Sequence, residues 1–272
     1  MTGKWWDQGW TLVSGCTAVS VGCDNCWAMA MEKRLMKGSN GCVQFHNDRL
    51  ARPLRRKKST TYAIWNDLFH EDIADLEIDR VMGVISASPQ HKYFLLTKRA
   101  KRMQGYFANR ELVDRVSRSA GWLCQNGDDV ACNVYQKDRW PLPNLALGVS
   151  VENQETADNR VWALLQTQAA YRFINIGPAL GPVDFCKTSE AFPHQDTQHP
   201  WHNRPILGGV DLVMMEGESG RHARDWPGFD NAARSVRDQC KATGVPFFLK
   251  QMPKKRLIPE DLKIRETIQW GP

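Results

Sequence analysis

The segment Gly15-Cys16-Thr17-Ala18-Val19-Ser20-Val21-Gly22-Cys23-Asp24-Asn25-Cys26-Trp27 places three cysteines at C-x6-C-x2-C spacing, with a glycine directly before the first two. Such a loop reads as one wrapped around something that binds sulfur. A glycine beside a ligand lets the backbone approach a metal centre, or adopt positive φ, at little steric cost. Three thiolates can hold three irons of a [4Fe–4S] cluster and leave the fourth open to a non-protein ligand. If that ligand is the amino and carboxylate groups of S-adenosylmethionine, one electron from the cluster can cleave the sulfonium to a 5′-deoxyadenosyl radical. The protein then has to bind, orient and exclude water. Zinc is the alternative: Cys23, Cys26, Cys42 and His46 give C-x2-C-x15-C-x3-H. That set leaves Cys16 unexplained and puts ligands on either side of a predicted helix. Iron requires Cys16 and spares Cys42, whereas zinc demands the reverse.

The loop falls between a predicted strand end, Thr11-Leu12-Val13, and a run of helix formers from Trp27 to Met36 that meets no breaker until Gly38. Tyr62–Trp65, Tyr93–Thr97, Leu145–Val151, Tyr171–Ile176, Val210–Met215 and Val245–Gln251 read as further strands. Helices are predicted over 73–86, 100–120, 155–167 and 228–243. Repeated β-loop-α units imply a parallel sheet with right-handed crossovers, either an open sheet or a partial barrel. Ligands bind such folds at the carboxyl ends of the strands, where the cysteine loop lies. Residues 121–143 and 186–209 read as polar insertions, the second holding His194, His199 and His202 as surface histidines, and 252–272 as a basic, peripheral tail.

A hydrophobic fraction of 42% with 11 tryptophans is enough for a sizeable core. Trp5, Trp6 and Trp10 either cover the cysteine loop or pack on that core. With no run of 18 apolar residues and no signal-peptide pattern, the expectation is a soluble, cytoplasmic chain without a membrane partner. In that setting eight cysteines point to reduced thiols and metal ligation. A net charge of +6 is compatible with a polyanionic partner. The basic run Arg49, Arg52, Arg55, Arg56, Lys57 and Lys58 is either solvated surface or a set of phosphate contacts.

Several segments stand in order along the chain: Trp10 with Gly15-Cys16-Thr17 and Gly22-Cys23-Asp24-Asn25-Cys26, then Asp67-Leu68-Phe69-His70-Glu71-Asp72, then Leu96-Thr97-Lys98-Arg99 with Arg102-Met103. They continue through Gly148-Val149-Ser150-Val151-Glu152-Asn153-Gln154, Gly181-Pro182-Val183-Asp184, Gly217-Glu218-Ser219-Gly220, Arg237-Asp238-Gln239-Cys240 and Pro246-Phe247-Phe248-Leu249-Lys250-Gln251. This is a resemblance to the phage-associated, radical SAM-like DUF5131 (Gp37/Gp68) family. It implies an α/β fold, a partial (β/α)6-type barrel of parallel strands with surrounding helices over 1–251, a [4Fe–4S] cluster on Cys16, Cys23 and Cys26, and bound S-adenosylmethionine. The C-x6-C-x2-C spacing is longer than the C-x3-C-x2-C usual among radical SAM enzymes, and Trp27 follows the last cysteine instead of preceding it. Two further departures are a missing acidic residue in Asn175-Ile176-Gly177-Pro178 and Glu216-Gly217 where the family has a double glycine. A shifted carboxylate at the barrel mouth suggests an altered substrate.

For S-adenosylmethionine the expected contacts are Asn66 and Asp67 to the methionyl amino group, Thr97 and Lys98 to its carboxylate, and Ser150, Glu152 and Asn153 to the ribose. Glu216, Glu218 and Lys250, on the last strand ends, are expected to face the substrate as catalytic groups. Arg52, Arg55, Arg56, Lys57 and Lys58 are the expected nucleic-acid contacts. The expected function is radical remodelling of an amino acid attached to thymidine in phage DNA, for example isomerisation of an N-linked glycine to a C-linked form. It would take place in the cytoplasm of the infected host, fed by a one-electron donor such as flavodoxin. Radical chemistry on a small molecule or peptide, and a zinc-stabilised nucleic-acid-binding module, are the alternatives.

Overall fold

In the computed structural model, which describes residues 4–35, 42–123, 140–186 and 205–271, Leu145–Val151 (β6) is buried at every position. A strand covered on both faces must read this way, and β6 is the middle of a seven-stranded parallel sheet. Its companions are Gln8–Thr11 (β1), Thr61–Trp65 (β4), Lys92–Thr97 (β5), Tyr171–Ile176 (β7), Leu212–Glu216 (β8) and Phe247–Gln251 (β9), in the order β1-β4-β5-β6-β7-β8-β9. The sheet curls into a half-barrel surrounded by helices. The expected α/β partial barrel is therefore the observed architecture, with seven strands in the sheet.

The predicted first strand is displaced. β1 ends at Thr11 and pairs with β4, while Val13–Ser14 (β2) leaves the sheet and pairs antiparallel with Gln44–Phe45 (β3). Leu12 thus links the two sheets and Val13 belongs to the second, which alternation alone does not signal. Helices follow the strands: Trp27–Leu35 (α1), Asp75–Ser86 (α2), Ala100–Phe107 (α3), Leu112–Leu123 (α4), Gln154–Gln166 (α5) and Phe229–Thr243 (α6). The single helix expected over 100–120 is two, because the chain turns at Asn109, whose side chain accepts from the Glu111 amide. None of the described helices is long and apolar enough to cross a membrane.

Strand alternation sorts the core into two layers. Leu95, Leu147, Val149, Ile174, Val213 and Leu249 face the helices. Phe94, Ala146, Phe173, Leu212, Met214 and Phe248 face the concave side. Trp5 packs edge-on against Phe94 at 4.5 Å between ring centres, and Trp270 packs on Tyr171 at 4.6 Å. The tail expected to be peripheral is part of the core: Ile268 and Trp270 join this concave layer, Leu262 is buried in the helix-side layer, and the Leu249 amide donates to the Ile264 carbonyl at 3.1 Å. Of the two insertions, 124–139 and 187–204, with Cys124, Cys132, His194, His199 and His202, lie outside the described residues. Ile206–Gly209, at the end of the second, is a mostly buried 3-10 turn.

Candidate functional site

A cavity of about 270 Å³ opens at the carboxyl ends of the strands, and Cys16, Cys23 and Cys26 all line it. All three are free thiols. Cys23 closes a 3-10 turn, its amide donating to the Ser20 carbonyl at 2.8 Å, and the Cys26 carbonyl accepts the first hydrogen bond of α1 from Ala30. The third cysteine therefore stands at the amino-terminal end of α1.

Two cationic struts reach the loop from the end of β5. The Lys98 ammonium lies 2.6 Å from Glu152 Oε1, 3.3 Å from Ser20 Oγ and 3.6 Å from Cys23 Sγ. Burial pushes the Cys23 thiol up, but backbone hydrogen bonds to Val19 and Ser20 and the Lys98 charge outweigh it, and the thiol lies below its ordinary value. Arg99 is the second strut. Its guanidinium donates to both oxygens of Glu71 at 2.8 Å, to Asp67 at 3.0 Å and to Thr17 Oγ1 at 2.7 Å, with Cys16 Sγ at 4.0 Å. Burial nonetheless leaves the Cys16 thiol raised. Gly22 makes the Lys98 arrangement possible, since a Cβ there would sit 2.6 Å from Glu152 Cγ and 2.8 Å from Lys98 Nζ.

A clasp from the other side of the half-barrel closes on the same loop. Asn25 donates to Glu218 at 3.1 Å, and Arg224 joins Glu218, at 2.7 Å, to Asp24 and to the Val21 carbonyl. Burial raises the Glu218 carboxyl, yet its hydrogen bonds from Arg224 and Asn25 bring it below the usual range.

The expected site residues divide accordingly. Asn66, Asp67, Thr97, Lys98, Ser150, Glu216, Glu218 and Lys250 line the cavity with the cysteines. Asp67 is saturated, accepting from Thr97 Oγ1, the Lys98 and Phe69 amides and Arg99, so it holds the loop rather than a ligand. Glu218 is likewise taken up by the clasp. Glu152 and Asn153, expected at a ribose, are placed otherwise. The Glu152 side chain has no exposure and is shared by Lys98, Arg160 and Ser20, while Asn153 caps α5 by accepting from the Thr156 amide. Glu216 and Lys250 form an ion pair on the cavity wall, and Asn175 Nδ2 donates to Glu216 Oε1 at 3.2 Å.

Arg52, Arg55, Arg56, Lys57 and Lys58 are exposed but lie before β4. The Pro53 and Arg56 carbonyls accept from His91 and Gln90, at the start of β5. The run therefore stands at the amino ends of the strands, separated from the cavity by the length of β4, about 13 Å. Trp5 and Trp6 line the cavity, whereas Trp10 is buried against Tyr93. Arg224, which the sequence places with Arg221 among the strand-end groups facing a substrate, is instead taken up by Glu218 and Asp24. Arg99 and Asn175 stand in the quoted segments without an expected role. Asn175 carries a signal, a polar residue inside the otherwise apolar end of Tyr171–Ile176, whereas nothing local marks Arg99, because its partners stand far away in the chain.

Among the described residues no three His, Cys, Asp or Glu side chains converge on a single ion. Of the zinc set, His46 pairs with Ser14 Oγ at 2.8 Å. Cluster thiolates bind different irons and need not converge as zinc ligands must. Three free thiols on one cavity, with a cation held near two of them, fit that donor set.

Comparison with curated proteins gave no match, and comparison with solved structures gave none. A family model described as a protein of unknown function, DUF5131, matches residues 2–262. Nearly the whole chain is covered, cysteine loop, struts and clasp included, and the chain belongs to the DUF5131 family.

Proposed function

We propose that this protein is a radical SAM enzyme that remodels an amino acid carried on a thymidine base of phage DNA. The observation that carries the reading is that three free cysteines share one cavity with strand-end polar groups and an ion pair. Cys16, Cys23 and Cys26 would hold a [4Fe–4S] cluster, which together with bound S-adenosylmethionine would supply a 5′-deoxyadenosyl radical. Lys98 and Arg99 offset the negative charge of the thiolates and fix the loop. Asn66 and Ser150 remain on the wall as contacts for S-adenosylmethionine, and the clasp from Glu218 and Arg224 closes the loop against water. Trp6 offers a flat face for a base. A base in a duplex must leave the stack to reach this depth.

The net reaction proposed moves the thymine methylene from the nitrogen to the α-carbon of an attached glycine. One C–N bond breaks and one C–C bond forms, and the α-hydrogen ends on nitrogen, so no oxidant is consumed. The location of Arg52–Lys58 at the far end of the sheet favours a second reading, the same chemistry on a small molecule, with the basic run incidental.

Anaerobic reconstitution tests the first step: about four irons per chain, a reduced EPR signal, and 5′-deoxyadenosine formed from S-adenosylmethionine with dithionite. Cys16→Ala should abolish all three and Cys42→Ala none. Retention of metal by Cys16→Ala and its loss in Cys42→Ala would overturn the reading. Mass spectrometry of digested phage DNA against free nucleoside then separates the two substrates.

A further inference from the structure

We propose that Glu216, Lys250 and Asn175 form a subsite for an aminocarboxylate, an amine with a carboxylate one carbon away, carried by the substrate. The proposal rests on the preceding reading and names what the cavity recognises.

The cavity's charged groups are not equivalent. Asp67, Arg99, Glu218 and Arg224 spend their hydrogen bonds on one another and on the loops. Lys98 is held by Glu152, Ser20 and Cys23. Lys250 differs: its hydrogen bond among the described residues goes to Glu216, leaving donors of a three-donor ammonium for a ligand. Its Nζ stands 5.7 Å from the centre of the Trp6 ring, on the cavity wall.

Asn175 supplies the second observation. A carboxylate only accepts, so the amide nitrogen must be the atom facing Glu216. That fixes Oδ1 on the other side, where it is buried with no hydrogen-bond partner among the described residues, although the residue is only 5% exposed and lines the cavity. An orphaned buried acceptor is costly, and a ligand N–H removes the cost. The backbone at Gly177 keeps the group together, since a Cβ there would lie 2.5 Å from Asn175 Nδ2 and 2.9 Å from Glu216 Oε1.

A neutral ion pair beside an orphan acceptor matches a zwitterion. The ligand amine donates to Glu216 and to Asn175 Oδ1, and its carboxylate accepts from Lys250. Both replace the internal pair without leaving a buried charge unpaired.

Equilibrium dialysis of the full chain tests this with three probes: 5-(carboxymethylaminomethyl)-2′-deoxyuridine, its methyl ester and its N-acetyl derivative. The acid should bind at least roughly tenfold tighter than either derivative. Lys250→Met should erase the acid-over-ester preference alone, with Lys250→Arg retaining it, and Glu216→Gln should erase the amine-over-acetyl preference alone. Asn175→Leu should weaken the acid more than its N-acetyl form. Equal binding of the three probes, binding of none, or variants that weaken all three by one factor would overturn the subsite. The iron-free chain suffices for this measurement, so a failure of iron uptake with the preferences intact sinks the cluster and not the subsite. In the reconstituted chain, competitive displacement of the acid by S-adenosylmethionine would assign the aminocarboxylate to that molecule and overturn the proposal.

Discussion

Glu152 shows how much of the site is built from a single buried charge. Burial pushes its carboxyl up, but Lys98 and Arg160, with the Ser20 hydroxyl, outweigh burial and hold it below the usual carboxylate range. A carboxyl whose value falls on folding contributes stability that is present above its unfolded value, about 4.3. That contribution is lost as pH drops through the lower folded value. Glu152→Gln should therefore cost about 3–5 kcal/mol at pH 7, because Lys98 and Arg160 lose their counter-charge. Its stability should also decline less steeply than that of the parent chain below pH 4.3. Urea titrations of the iron-free protein from pH 7 to pH 3 measure both, and parallel declines would show that Glu152 is not the linked group. The sequence made the neighbouring cysteines legible through their spacing. It could not show that Glu152 turns inward, because Lys98, Arg160 and Ser20 stand at distances along the chain that no local pattern connects.

Among the elements, strands were the readable part and their ends were not. β5, β6 and β7 appear where apolar runs bounded by turn residues predicted them, since a strand covered on both faces leaves little ambiguity. β1 was misplaced because Leu12-Val13 is apolar for a different reason, the turn out of the sheet into β2. The helices add a lesson about glycine that composition hides. Gly83, in α2, faces α4 so closely that a Cβ would lie 2.9 Å from the Ala120 amide nitrogen, whereas a Cβ at Gly105, in α3, meets nothing within 4 Å. Gly83→Ala should thus cost about 1–3 kcal/mol by forcing α2 and α4 apart. Gly105→Ala should gain about 0.5–1 kcal/mol, the usual helix preference for alanine. Denaturant midpoints of the two variants should move in opposite directions. A shared direction would mean that the α2–α4 contact is not as close as described.

Across the whole molecule the half-barrel has an open end, lined by the cysteines, and a closed end, and chain segments from both termini build the closed one. Trp5 enters from the amino-terminal side and Trp270 from the carboxyl-terminal side, both onto Phe94, with Ile268 in the same layer. This floor lies under the cavity that holds the cysteines, so the tail bears on the site without touching it. Charge hid this in the sequence: Lys254, Lys255, Arg256, Lys263 and Arg265 give 252–272 a basic character, while Leu262, Ile268 and Trp270 are too widely spaced to read as an element. The family match, which runs to residue 262, also passes the expected domain end at 251. A chain ending at Gln251 should lose about 1.5–3 kcal/mol for each of Leu262 and Ile268, together with the bridge between Phe248 and Arg265. It should unfold at a much lower urea midpoint, with its near-UV aromatic signal reduced beyond the loss of Trp270 itself as Phe94 and Tyr171 lose their cover. Adding the peptide 252–272 in trans should restore part of both. A truncated chain as stable as the full one would mean that the concave layer closes without the tail, and the floor of the cavity would then have to be built by Trp5 and Phe94 alone.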